Sequence, residues 1–332
     1  MLSPFLIFAL LVLAPLASWS QCMRDAGLQS AANPRGQWQQ VFFDGFDSQP
    51  HTLANWYLDR VGDENADRLH CFDATPDLVG GGNQALRLLT ENNVQFLRIT
   101  ATPDASAACT PQSRYRSGGL RLKPNPLVDS AAHGVYALQQ GLFEIRCRLP
   151  RYRARTTRYG ANAGFWLLSN DMECDVLEGN DGLSGFATTL HNWNAATADC
   201  ARAPAQGEPH PFWQATYTYI PPYAGALGLD ESFHTYGLAW SEHELTWFFD
   251  GQVLSTLAYE PGQCLPRLEE NQRIIPFGRA AQVLLGLEVV DASFLEAQFD
   301  VDYVRICKPA QDLSATATWI PNPPQTESLS PW

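Results

Sequence analysis

"HTYGLAWSEHELTWFFDGQVLSTLAY", residues 234–259, alternates apolar and polar side chains around one dipeptide, Asp250-Gly251. Asp-Gly between two alternating runs is the strongest short hairpin signal that a sequence offers, because a two-residue turn needs φ > 0 at both centres. The same period of two recurs in "QALRLLTE" (84–91), "GLFEIRCRLP" (141–150) and "AQFDVDYVRICK" (297–308), while long amphipathic helical stretches do not occur. Many short strands bounded by turn residues predict an all-β sandwich or jelly roll. Irregular sequence is concentrated in Arg151–Gly164 and in Asn194–Leu229, which is rich in Pro, Ala and aromatic residues. In a sandwich such loops carry the variable binding surface, so specificity is expected there.

The chain has 332 residues, 45% of them hydrophobic, enough for one large core. Leu2 to Leu16 is almost wholly apolar, and Ser18 and Ser20 stand at the positions a peptidase wants. Residues 1–20 therefore read as a secretory signal peptide cleaved before Gln21, too short an apolar run for a membrane span. Residues 21–310 read as one catalytic unit and 311–332, "SATATWIPNPPQTESLSPW" at its end, as a Pro/Ser/Thr-rich tail. Eight cysteines follow the cleavage point, and an even number in an exported chain predicts disulfides. No CxxC pair occurs, which argues against structural zinc. A formal charge of −13 argues against nucleic acid or an anionic membrane as partner. The charge says little about a neutral partner; an exported monomer with no membrane contact after leader removal is expected.

"DMECDVLEGND", residues 171–181, crowds Glu173, Asp175 and Glu178 into one strand. Glu173 and Asp175 share a face while Cys174 and Val176 point to the core. Glu178 lies at an odd offset from Glu173, so a β-bulge around Val176 and Leu177 is expected, to bring all three carboxylates to one face. Two glutamates flanking one sugar bond suit glycoside hydrolysis, in which retaining enzymes hold them about 5–5.5 Å apart. Asp175 between them would tune which one is ionised. A solvated strand face or a calcium site would also tolerate several carboxylates.

"ECDVLE" resembles the ExDxxE signature of glycoside hydrolase family 16, retaining endo-glycanases that include laminarinases, lichenases, agarases, carrageenases and xyloglucan transglycosylases. "VFFDGFD", "YRSGGLRLK", "GLFEIRCRLP", "GFWLL", "TLHNW", the 234–259 hairpin and "VDYVRICK" fall in the family's order, from about Gln37 to Lys308. The resemblance implies a concanavalin-like β-jelly-roll sandwich of two antiparallel sheets with a substrate cleft on the concave face. It implies Glu173 as nucleophile, Asp175 as its assisting carboxylate and Glu178 as acid/base. It places Trp166 and His191 beside the cleaved bond, with Trp193 as a stacking aromatic beyond it. Trp240 and Trp247 read as core. Cys71 and Cys109 resemble a family disulfide. Cys200–Cys264 and Cys22–Cys307 complete the proposed pairing, leaving Cys147 and Cys174 buried.

The chain also departs from the family. Members often read DEF where this chain has Asp44-Gly45-Phe46, and that glutamate helps to form a structural Ca2+ site on the convex side. Asp302 matches a second element of the site; no other cofactor is implied. "LLGLEVVDASF", residues 284–294, lacks the Asn and Gly-Gly-x-Trp run common in laminarinases. "RCRLPRYRARTTRYG" carries Arg146, Arg148, Arg151, Arg153, Arg155 and Arg158, which either border the cleft and grip an anionic polymer or balance nearby acids. The leading expectation is a secreted hydrolase of internal β-1,3-glucan linkages. Its rivals are an algal-galactan or other anionic-polysaccharide hydrolase, a transglycosylase, and a non-catalytic carbohydrate-binding protein.

Overall fold

The computed structural model describes residues 38–58, 69–106, 112–123, 140–154, 156, 160–168, 172–181, 185–192, 216–219, 228–241, 244–258, 265–266, 273–274 and 281–309. The expected signal peptide and C-terminal tail lie outside these residues. Strands β1 (Trp38–Asp44), β2 (Trp56–Tyr57), β3 (His70–Phe72), β4 (Leu86–Glu91), β5 (Val94–Pro103), β6 (Tyr115–Ser117) and β7 (Gly119–Leu122) come first, with helix α1 (Gln49–Asn55) after β1. Then follow β8 (Gly141–Arg153), β9 (Ala161–Leu168), β10 (Met172–Asp181), β11 (Gly185–Asn192), β12 (Thr216–Tyr219), β13 (His234–Trp240), β14 (Glu244–Phe249) and β15 (Gln252–Ala258). The short β16 (Leu265–Pro266) and β17 (Arg273–Ile274) precede β18 (Gln282–Val289) and β19 (Glu296–Pro309).

Two large sheets form the sandwich. One has ten strands in the order β15-β14-β13-β8-β19-β5-β6-β3, with β1 beside β19 and β4 beside β5. The other has seven, β12-β11-β10-β9-β18-β7-β2, and β16 pairs with β17 apart from both. Pairing is antiparallel except between β3 and β6, which run parallel. The all-β jelly-roll expectation holds. Alternation explains the packing: Phe143, Ile145, Cys147 and Leu149 of β8 and Leu245, Trp247 and Phe249 of β14 meet Ala163, Phe165 and Leu167 of β9 in one inter-sheet core. Cys147 and Cys174 are both buried there as free thiols. Cys71 and Cys307 are each disulfide-bonded, and their expected partners Cys109 and Cys22 lie outside the described residues, as do Cys200 and Cys264.

The β14–β15 hairpin is the one that the sequence announces. Asp250 has φ 45° and Gly251 φ 75°, the two left-handed centres of a type I′ turn. A non-glycine residue is held there because the Asp250 carboxylate accepts from the Thr235 backbone N–H at 2.8 Å and meets His234 Nδ1 at 2.7 Å. The hairpin tip is thereby tied to the start of β13.

Strand β8 of the arginine-rich stretch belongs to the ten-stranded sheet, and for Arg146, Arg148 and Arg151 this favours the second of the two readings, that they balance nearby acids. Its alternation buries Ile145, Cys147 and Leu149, so Arg146 and Arg148 project from the opposite face, away from the seven-stranded sheet. There Asp300, buried on β19, receives Arg98 at 2.6 Å, Arg148 at 2.7 Å and Arg151 at 2.9 Å. Arg148 also reaches Glu91 at 2.9 Å, and its guanidinium lies 4.5 Å from the Phe233 ring centroid. These three arginines balance acids on the outer face. Strand β8 continues through Pro150 to Arg153 because the ladder with β19 shifts between Gln298 and Asp300, and a bulge tolerates a residue without an N–H. Arg153 is exposed at the strand end; Arg155 and Arg158 lie outside the described residues.

Candidate active site

Strand β10 carries the expected bulge. Against β9, Asp175 pairs with Trp166 and Leu177 with Phe165, so Val176 is the extra residue; against β11, Asp175 pairs with Thr189 and Glu178 with Ala187. The local cause is the run Val176-Leu177. Two consecutive apolar side chains cannot both enter the core from a regular strand, and both do enter it here. Glu178 is returned to the face that carries Glu173 and Asp175.

The bulge is also contacted from the other sheet. Trp247 of β14, buried in the core, donates its indole Nε1–H to the Asp175 carbonyl at 3.0 Å. Core burial of Trp247, and of Trp240, matches the sequence reading. The hydrogen bond was not legible there, because it joins residues 72 positions apart.

Two further side chains engage Glu178. Asn162 of β9 donates its Nδ2–H to Oε1 at 3.1 Å, and Thr189 of β11 donates its hydroxyl to Oε2 at 3.3 Å. Neither stood out in the sequence. Asn162 is signalled only by parity, as a polar residue between the buried Ala161 and Ala163 in the strand that contains Trp166. Asp175 is 1% exposed, and burial pushes its carboxyl well above the ordinary carboxylate range. The charges of Glu178 and Glu173, and hydrogen bonds with both, push it in the same direction. Desolvation and the two flanking glutamates thus both disfavour the charged form of Asp175.

Trp166 lies on the carboxylate face, next to Asp175 in the ladder, and packs with Phe72 and Leu284. Its indole rests over glycine: a Cβ at Gly164 would come within 2.8 Å of Cε3 and Cζ3, and one at Gly286 within 3.6 Å of Cη2. It is 8% exposed. His191 stands opposite Glu173 in the β10–β11 ladder, and Trp193 lies outside the described residues. One row therefore crosses the sheet at a single register, from Thr189 through Asp175, Trp166 and Leu284 to Arg121 and Tyr57.

Asp302 is remote from this face. It sits at a shift in the β8–β19 ladder and pairs with Arg146. Asp44 of the "DGF" turn is occupied too, accepting from Phe46 N–H at 2.8 Å, Trp56 Nε1 at 2.9 Å and Asn55 Nδ2 at 3.1 Å. Among the described residues no group of three or more His, Cys, Asp or Glu is placed to hold a metal. A calcium ion at Asp302 would have to displace a guanidinium and would lack the carboxylate that Gly45 does not supply. These residues do not fit the implied Ca2+ site.

Known proteins agree with this architecture. No protein-family model matches the sequence. The endo-1,3-1,4-β-glycanase EglC of Rhizobium meliloti (strain 1021) is 29% identical over 168 residues, 48% of this chain and 28% of that protein. The matched stretch thus spans little more than a quarter of that relative's length. SCLam, a non-specific endo-β-1,3(4)-glucanase from family GH16, superposes with a TM-score of 0.54 at 18% identity, covering 82% of this chain and 91% of its own. The laminarinase catalytic domain of Thermotoga maritima MSB8 gives 0.53 at 18% identity, covering 82% and 98%. The chain has the jelly-roll fold of these glucanases, and the resemblance to glycoside hydrolase family 16 carried by its ordered motifs extends to its three-dimensional structure.

Proposed function

We propose that this chain is an exported, retaining endo-β-glucanase that cleaves internal linkages of a β-1,3-glucan. The observation that carries the reading is the bulged strand β10, which aligns Glu173, Asp175 and Glu178 on one face around a buried Asp175. In this scheme Glu173 attacks the anomeric carbon while Glu178 protonates the departing oxygen. Glu178 then deprotonates the water that releases the glycosyl-enzyme. Asp175, hydrogen-bonded to both glutamates, lies where it can stabilise whichever of them is charged. The family resemblance assigns Trp166 and His191 to the sides of the reacting bond and Trp193 to a stacking role beyond it.

Export is supported by the apolar leader, the cysteine count and the disulfide-bonded Cys71 and Cys307. No helix among the described residues is long and apolar enough to cross a membrane. The anionic-polymer alternative loses Arg148 and Arg151 to Asp300 and Arg146 to Asp302, and neutral glucan is the better substrate. A reducing-end assay on neutral β-glucans, galactans and sulfated polymers tests this directly. Release of ends from β-1,3-glucan, with the retained anomer first in proton NMR, is the expected result. Cleavage of only the sulfated polymers, or an inverted first product, would refute it.

A further inference from the structure

Beside its hydrogen bond with Asp175, Glu178 has a chemically different partner on each oxygen. Oε1 accepts from the Asn162 amide at 3.1 Å, and Oε2 accepts from the Thr189 hydroxyl at 3.3 Å. An amide NH2 can only donate, whereas a hydroxyl either donates or accepts. When Glu178 takes up a proton, the Asn162 N–H bond to Oε1 survives with the proton on Oε2, whereas a proton on Oε1 would require the carboxamide to turn over. Thr189 can rotate its hydroxyl and accept from a proton on Oε2. Resting on the reading of Glu178 as acid/base, we propose that Asn162 and Thr189 are positioning residues that assign the transferable proton of Glu178 to Oε2.

The surroundings give this assignment a purpose. Glu173 and Asp175 lie beside Glu178 on its own strand, and Glu288 of β18 stands opposite Asn162 in the next ladder. From β11 the titratable residue at hand is His191, opposite Glu173. Asn162 is thus a neutral donor on the strand between two acidic ones. A carboxylic acid free to place its proton on either oxygen would present the wrong one to the substrate part of the time. In glycosylation the Oε2 proton passes to the glycosidic oxygen as the C1–O bond breaks and its electron pair stays on that oxygen. A Glu173 oxygen forms the new bond to C1. In the second step water oxygen replaces Glu173 at C1, and the proton it loses returns to Oε2.

The test is kcat/KM for Asn162→Leu, Thr189→Val and Thr189→Ser on the β-glucan cleaved by wild type. The same variants are assayed on an oligoglucoside carrying 2,4-dinitrophenolate, which departs without protonation. Activity on the polysaccharide falls about 10- to 100-fold in Asn162→Leu and Thr189→Val, while kcat/KM on the dinitrophenyl substrate stays within about twofold. Thr189→Ser, which keeps the hydroxyl, restores polysaccharide cleavage. The ratio of the two kcat/KM values does not depend on the fraction of enzyme that folds, so instability cannot mimic a selective loss. Equal losses on both substrates overturn the proposal. Glu178→Gln separates the two levels: normal polysaccharide cleavage by that variant refutes the acid/base reading itself. Its expected selective loss, with equal losses on both substrates in the Asn162 and Thr189 variants, refutes only the proton assignment.

Discussion

Replacing Trp247 with phenylalanine removes one hydrogen-bond donor from the core and leaves a smaller ring in the same place. The donor is the one that meets the Asp175 carbonyl at 3.0 Å, at the residue where the β9–β10 register shifts. A buried carbonyl stripped of its partner costs about 1–3 kcal/mol. The smaller ring adds roughly 1 kcal/mol for the cavity. The total of about 2–4 kcal/mol corresponds to a fall in Tm of about 4–16 °C for a domain of this size class. The effect on catalysis should exceed that on folding. The bulge sets the parity of Glu178, and a displacement of about 1 Å at a reacting group costs on the order of 100-fold in rate. Trp240→Phe is the matched control, because Trp240 is equally buried on the neighbouring strand and packs against Phe143 with ring centroids 6.4 Å apart. Thermal melts and kcat on the same β-glucan, measured below both transitions, separate the two effects. Trp247→Phe should lose about 10- to 100-fold in kcat while Trp240→Phe stays within about threefold at comparable stability loss. Equal kcat for the two variants would show that the inter-sheet bond does not hold the catalytic bulge.

Three other outcomes follow from the same geometry. Glu178→Gln should lower polysaccharide turnover by about 10²- to 10⁴-fold and Glu173→Gln by at least as much, with binding retained in an affinity gel; wild-type turnover in either would remove the double-displacement scheme. Asp175→Asn should be milder, within about tenfold, because a neutral amide reproduces the donor that the protonated acid supplies. That variant also has a stability signature. The folded state raises the pKa of Asp175 far above its unfolded value, so the wild type loses stability as pH rises from about 4 toward the folded pKa, where only the unfolded chain gives up the proton. Asp175→Asn should therefore gain Tm over wild type at neutral pH and not below about pH 4; parallel Tm–pH curves would contradict a protonated Asp175. On the other sheet, Asp300→Ala should destabilise the protein by about 3–5 kcal/mol, since it strands Arg98, Arg148 and Arg151 around an uncompensated site. Activity per folded molecule should be unchanged on neutral and sulfated polymers alike, and a selective loss on the sulfated one would return these arginines to the substrate site.

Side-chain alternation and turn chemistry are local, and they were enough to determine the strands, the Asp250-Gly251 hairpin, the burial of Cys147 and Cys174, and the shared face of the three carboxylates. The bulge was legible for the same reason, since Glu178 sits at the wrong parity and Val176-Leu177 offers two consecutive apolar side chains for the core. Alternation also set Arg146 and Arg148 apart from the core. It could not say whether the face opposite belonged to the cleft, because that depends on which sheet β8 joins, and its partners β13 and β19 lie far along the chain. Asn162 and Thr189 meet Glu178 only because β9 and β11 flank β10 in one register, and Trp247 reaches the Asp175 carbonyl only because the two sheets face each other across the core. The raised pKa of Asp175 is likewise a product of tertiary burial: in the unfolded chain water screens its neighbours, and in the fold desolvation and two adjacent carboxylates disfavour its charged form.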